Sequence, residues 1–313
     1  MPTSRQGAIR LFRFSGIDVF LHWSWFLAAA YEINVGFGAY SSISWKIAEY
    51  LFLFLIVTLH EFGHALACRQ VGGRANQIIL WPLGGVAYVD PPPRPGATLW
   101  SIAAGPLVNV ALVPVLLLLG KLSGALGLFA ATPDLARLLD AVFKLDLYLL
   151  AFNILPIYPL DGGQILRSLL WFLLGRARSL LVATILGLAG VIAFFALALW
   201  SQSAWLGAIA IFMLLNCWSG LQQARALLRL AKLPRRQDHA CPSCKTAPPI
   251  GHNWKCAQCG QFFDMFDQQG VCPFCRARFS AVRCMECGAV SALDEWRAPV
   301  VSMSLPFTNQ VSR

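Results

Sequence analysis

Residues 60–64 read His-Glu-Phe-Gly-His. On a helix, positions four apart share a face, so His60 and His64 would offer two imidazoles to one ion. Glu61 then stands beside that ion, placed to take a proton from bound water as a general base. Zinc suits the pattern, because a catalytic zinc takes three protein ligands and keeps a fourth position for water. The motif also lies inside an apolar run, where each ionisable group costs at least about 2.5 kcal/mol. Three such groups within five residues argue for a metal over a salt-bridged helix turn.

The third ligand must come from elsewhere in the chain. Asp161 closes an apolar run on the same side of the membrane as His60 and His64, and the same residue would equally serve as the cap of the helix that follows. Asp90, in a proline-rich stretch, and Asp146, deep within another apolar run, are the other carboxylates to weigh.

The elements that would position these residues are membrane helices. Of 313 residues, 57% are hydrophobic and 13% charged, against about 25% charged in soluble domains. The apolar residues form long runs, not stripes, and about 20 of them suffice to cross a bilayer. Six candidate spans follow: Ile17–Val35, Ile47–Arg69, Leu99–Leu119, Leu138–Tyr158, Leu180–Trp200 and Ala204–Leu221. The net charge of +10 resides largely in the connections of one side, including Arg10, Arg13, Arg69, Arg74, Arg94, Arg167, Arg176, Arg178, Arg225 and Arg229. The other side offers Lys46, Lys121 and Arg137. The positive-inside rule therefore predicts a multi-pass protein with cytoplasmic N- and C-termini. Between the second and third spans, QIILWPLGGVAYVD is β-prone around Gly84, Gly85 and Val86. It predicts a small hairpin or re-entrant strand packed against protein.

After Pro234 the composition changes. Eight of the ten cysteines form four CxxC pairs there, in a repeat: CPSCK with KCAQCG, then CPFCR with RCMECG. Eight thiolates suffice for two tetrahedral zinc sites of four cysteines each. The repeat suggests sequential pairing: Cys241, Cys244, Cys256 and Cys259 in one site, Cys272, Cys275, Cys284 and Cys287 in the other, with an interleaved arrangement as the alternative. A cytoplasmic location disfavours disulfides, and a segment this small needs metal to fold. The organisation expected is a membrane-embedded domain over 1–233, a double zinc ribbon over 234–296 and a flexible tail over 297–313.

The chain resembles the site-2 protease family of intramembrane zinc metalloproteases, in its six-span bacterial and archaeal branch. The motifs that carry the likeness occur in family order: HEFGHAL at 60–66, PLGGVA at 82–87, AGPLVN at 104–109 and NILPIYPLDGG at 153–163. The resemblance implies that His60, His64 and Asp161 bind the catalytic zinc and that Glu61 is catalytic. It also implies that Asn109 and Asn153 hold the substrate backbone or the developing oxyanion. Each cysteine unit is similar to a zinc ribbon. The expectation is an all-α polytopic metalloprotease of a prokaryotic cell membrane, with one catalytic and two structural Zn2+, cutting membrane-spanning proteins in or next to their transmembrane segments. Gly84–Val86 would receive the unwound substrate as an added strand. The ribbons would serve regulation or docking of a protein partner, a nucleic-acid partner being disfavoured. The competing reading is a proteolytically silent membrane scaffold acting through the ribbons.

Overall fold

The computed structural model describes residues 7–35, 40–81 and 84–297. The expected tail from 298 onward, and Pro82 and Leu83 of the PLGGVA stretch, lie outside the described residues. The chain divides into two compact units between Leu228 and Arg229.

The first unit opens with strands β1 (Ala8–Phe14) and β2 (Ile17–His22), then helices α1 (Ser24–Val35) and α2 (Ile43–Gln70). Strands β3 (Arg74–Trp81) and β4 (Gly84–Asp90) follow. After them come helices α3 (Pro95–Ala125), α4 (Leu128–Ala131), α5 (Pro133–Ile154), α6 (Asp161–Trp200) and α7 (Ala204–Ala231). Among the described residues four helices are long and apolar enough to cross a membrane: α2, α3, α6 and α7. The 28 residues of α2 rise about 42 Å, more than a hydrocarbon core of about 30 Å.

Two of the six expected spans differ. The run from Ile17 begins as strand β2, where Ile17, Val19 and Phe20 turn inward, and α1 is described over only 12 residues. The fourth span is a helix, α5, but its first four turns carry Asp134, Arg137, Asp140, Lys144 and Asp146. Those charges remove it from the set of plainly apolar helices.

The hairpin expected between the second and third spans is present as β3–β4, within a larger sheet. The order is β1-β2-β3-β4, with β2 and β3 parallel and the outer pairs antiparallel. Ser15 and Gly16 both take positive φ, the two-residue turn that matches the twist of a hairpin, so Gly16 is needed there. Sheet and helix α2 share a core of Ile17, Val19, Val57, Ala65, Cys68, Ala75, Ile78 and Leu80. Arg69, in the last turn of α2, joins the two hairpins. Its guanidinium donates to the Ala75 carbonyl at 2.8 Å, to the Gly16 carbonyl at 3.0 Å and to the Ser15 carbonyl. The C-terminal end of α2 is thereby tied to the sheet.

The second unit contains two short hairpins, β5 (Trp254–Lys255) with β6 (Phe262–Phe263) and β7 (Ala281–Arg283) with β8 (Val290–Ala292). Its core is Trp254, Phe263, Met265, Phe266, Val282 and Trp296 packed among the cysteines.

Candidate metal centre

His60, Glu61 and His64 lie one turn apart on α2 and are 4%, 5% and 6% exposed, so they face the protein interior and not lipid. Asp161, the first residue of α6, completes a cluster. Its Oδ2 is 3.1 Å from His60 Nε2 and 3.3 Å from His64 Nε2, and the two Nε2 atoms are 3.1 Å apart. Ligands about 2.0–2.1 Å from a tetrahedral zinc stand about 3.3–3.4 Å from one another. The triangle fits that ion.

Glycines make the approach possible. A Cβ on Gly105 of α3 would fall 2.3 Å from His64 Nε2 and 2.8 Å from His60 Nε2. Gly63 lets α2 and α3 touch, since a Cβ there would meet the Ala104 carbonyl oxygen at 2.7 Å. At the start of α6, Cβ atoms on Gly162 and Gly163 would strike the Ile154 carbonyl and the Tyr158 nitrogen at 2.2 and 2.3 Å. The Gly-Gly pair therefore packs the first turn of α6 onto the 154–160 connection and delivers Asp161.

Each imidazole is held from behind. His64 Nδ1 lies 2.9 Å from the Ser101 carbonyl oxygen. His60 Nδ1 lies 2.6 Å from Asn109 Oδ1, and Asn109 Nδ2 donates to Asp146 Oδ1 at 2.7 Å. Asn109 is fully buried and its amide is engaged at both ends, which turns it away from the substrate-holding task implied by the resemblance. Asp146 is not beside the cluster as a ligand; it stands behind Asn109. Asp90 ends β4 and is also outside the cluster. Asn153 is half-buried in the last turn of α5. Gly84, Gly85 and Val86 pair with Trp81, Leu80 and Ile79, and no described strand pairs with the other edge of β4. Ser101 and Gly105 escaped the reading of the sequence, since neither type signals a metal site; only the AGP stretch marks the place.

Peptidase family M50 matches over residues 48–144 and 119–198. The two stretches overlap and together take in residues 48–198, a little under half of the chain. The M50 domain thus carries the HEFGH turn, Asn109 and Asp161. The chain is 34% identical over 180 residues to a zinc metalloprotease of Methanocaldococcus jannaschii, covering 58% of this chain and 50% of that protein. It is 34% identical over 119 residues to stage IV sporulation protein FB of Bacillus subtilis, covering 37% of this chain and 38% of that protein. The chain spans about half the length of the first of these relatives and less of the second. The solved site-2 protease from M. jannaschii matches 68% of this chain and 95% of its own, at 29% identity and a TM-score of 0.50. The site-2 protease likeness read from the motifs is borne out, and the fold is of that kind.

Outside the M50 domain the cysteines gather into two clusters, and their membership corrects the sequential pairing. Cys241 and Cys244 join Cys284 and Cys287, while Cys256 and Cys259 join Cys272 and Cys275. The inner four sit inside the outer four along the chain. Spacing does not decide this: the segments separating successive CxxC pairs have 11, 12 and 8 residues, and none of them excludes either pairing. The ends of the module decide it: the Ala240 N–H donates to the Trp296 carbonyl at 2.7 Å and His239 bridges Arg297. That pairing brings the first CxxC to the last.

The sulfurs stand 3.6–3.8 Å apart across each cluster, far from the roughly 2.0 Å of a disulfide and equal to the edge of about 3.8 Å expected for zinc–sulfur bonds of about 2.3 Å. All four CxxC turns have one construction. The first Cys N–H donates to the carbonyl five residues on, and the residue after the second Cys donates back to the first Cys carbonyl. That following residue, Lys245, Gly260, Arg276 or Gly288, takes positive φ each time. Backbone N–H groups also point at the sulfurs. The Cys259 N–H is the chief cause that holds the Cys256 thiol down to about 6, which favours the thiolate a metal needs.

Proposed function

We propose that this chain is a membrane-embedded zinc metalloprotease that hydrolyses peptide bonds in or next to the transmembrane segments of other membrane proteins. One observation carries the reading: the His60–His64–Asp161 triangle, with Glu61 adjacent, is assembled inside a bundle whose helices are long enough to cross a bilayer.

Zinc held by that triangle would bring the pKa of a water towards about 7 and polarise the scissile carbonyl. Glu61 accepts the proton released and returns it to the leaving amine. Asn153, at the α5 end that leads into the Asp161 turn, is the donor for the carbonyl oxygen as charge develops. A helical substrate must unwind before it is cut, and the unpaired edge of β4 at Gly84–Val86 accepts it as a fifth strand. In this reading the basic connections and both termini face the cytoplasm. Two structural zincs fold the cysteine module, which regulates cutting or docks a protein partner.

The test is cleavage of a single-span membrane substrate by the purified protein in detergent or liposomes, comparing wild type with Glu61→Gln. Loss of cleavage with zinc retained supports the proposal. Equal cleavage by the two proteins, or none by wild type across a substrate panel, favours the silent scaffold.

A further inference from the structure

We infer that Asp146 and Asn109 form a positioning relay that fixes the tautomer of His60. The inference rests on the metal reading of the site and not on proteolysis.

The members come from three helices: His60 from α2, Asn109 from α3 and Asp146 from α5. Asn109 and Asp146 are both 0% exposed, so water competes at neither link. A neutral imidazole can offer its Nε2 lone pair to a metal only if the proton sits on Nδ1. For His64 the matter is simple, because the Ser101 carbonyl can only accept and so calls for Nδ1–H. For His60 the neighbour is a primary amide, which can present oxygen or NH2. A reversed Asn109 amide would place NH2 against His60 Nδ1 and move the ring proton to Nε2, into the ligand triangle. Asp146 forbids the reversal: its carboxylate accepts, so the Asn109 end that faces it must be NH2, and the end that faces His60 must be oxygen.

The placement of Asp146 is otherwise costly. Its second oxygen, Oδ2, is buried and meets no hydrogen-bond partner among the described residues. A half-satisfied carboxylate in the interior lowers stability. It is retained here for what Oδ1 does at one remove from the metal. Partners of this kind behind a metal-bound histidine are worth about 10–100-fold in metal affinity.

The experiment is nitrogen-15 NMR of histidine-labelled, zinc-loaded full-length protein, which has only five histidines to assign, alongside competition for the zinc against a chelator. In wild type, His60 and His64 should both show the Nδ1–H tautomer. Asp146→Asn is nearly isosteric but can donate or accept, so the Asn109 amide is freed to turn. The expected result is a shift of His60 towards a tautomer mixture, an unchanged His64, and a fall of about 10–100-fold in zinc affinity at this site. A wild-type His60 protonated on Nε2 overturns the relay whatever the variant does. So does an Asp146→Asn protein with unaltered His60 signals and affinity. A variant in which His60 and His64 change together assigns Asp146 to the fold alone and also rejects it. Failure of cleavage with the relay intact would sink the protease reading and leave this one standing.

Discussion

Asp161 Oδ2 lies 3.1 Å from His60 Nε2 across 101 residues of chain. That single approach ties the first turn of α6 to the HEFGH turn of α2, and it adds a carboxylate to the two imidazoles of the motif. Asp161→Ala should therefore lower the zinc content by one ion per chain while the cysteine clusters keep theirs, and cleavage should vanish. Elemental analysis of the purified variant checks this; an unchanged zinc content would mean that Asp161 is no ligand.

Gly105→Ala puts a methyl group where the imidazoles stand, 2.3 Å from His64 Nε2. Neither ring can retreat, since each is bonded behind through Nδ1. The expected outcome is at least a tenfold loss of zinc affinity at this site, about 1.4 kcal/mol. Gly207→Ala, where a Cβ meets nothing within 4 Å, serves as the control and should behave as wild type.

Zinc counting separates the two pairings of the cysteines. With nested clusters, Cys241→Ser combined with Cys284→Ser injures one site and should cost one ion. Cys241→Ser combined with Cys256→Ser injures both and should cost two. Sequential pairing predicts the opposite pattern, so two double variants decide the question.

Asp264 provides a pH test in the second unit. Burial works against its charge, but the N–H groups of Asp267 and Gly251 and the Arg236 guanidinium outweigh burial and hold the carboxyl below its ordinary value. Gly251 N and Arg236 Nη2 each lie 2.7 Å from Oδ2. A carboxyl with a depressed folded pKa contributes stability above its unfolded pKa of 3.8 and loses it as pH falls through the lower folded value. Asp264→Asn should cost about 1.5–3 kcal/mol near neutral pH. The difference from wild type, followed by denaturant-induced release of the module's zinc, should shrink below pH 3.8; a pH-independent difference would remove the charge from the explanation.

Val86 pairs with Ile79 in β4, and the opposite edge of the strand faces no described strand. If substrate adds there, Val86→Pro should reduce cleavage severalfold or more while zinc content stays at the wild-type level. Undiminished cleavage would exclude strand addition at this edge.

Much of the site was legible because its information is local. HEFGH needs only the four-residue period of a helix to put two imidazoles on one face, and long apolar runs need only the thickness of a bilayer to read as spans. Asp161 could be singled out from its place at the end of a run, although Asp90 and Asp146 stayed open by residue type alone. What failed depended on partners remote in the chain. The run from Ile17 became strand β2 between β1, its hairpin partner across Ser15 and Gly16, and β3, which follows only after α1 and α2; a sequence window cannot show that second neighbour.

Asn109 and Asp146 show the same division. Their types announce hydrogen bonding, but whether they face substrate, metal or each other depends on how α3 and α5 sit against α2. The cysteines likewise announced two groups of four by number and spacing, while the meeting of Ala240 with Trp296 decided which four share each group. The amino-acid sequence by itself determined the ligand types, the helical face that presents His60 and His64, and the membrane-crossing runs, all set by periodicities of a few residues. Tertiary structure alone decided that Asp161, and not Asp90 or Asp146, meets His60 and His64, that Asn109 and Asp146 line up behind His60, and which cysteines gather together. Those depend on distances closed by packing, where the buried glycines set how near two backbones can come.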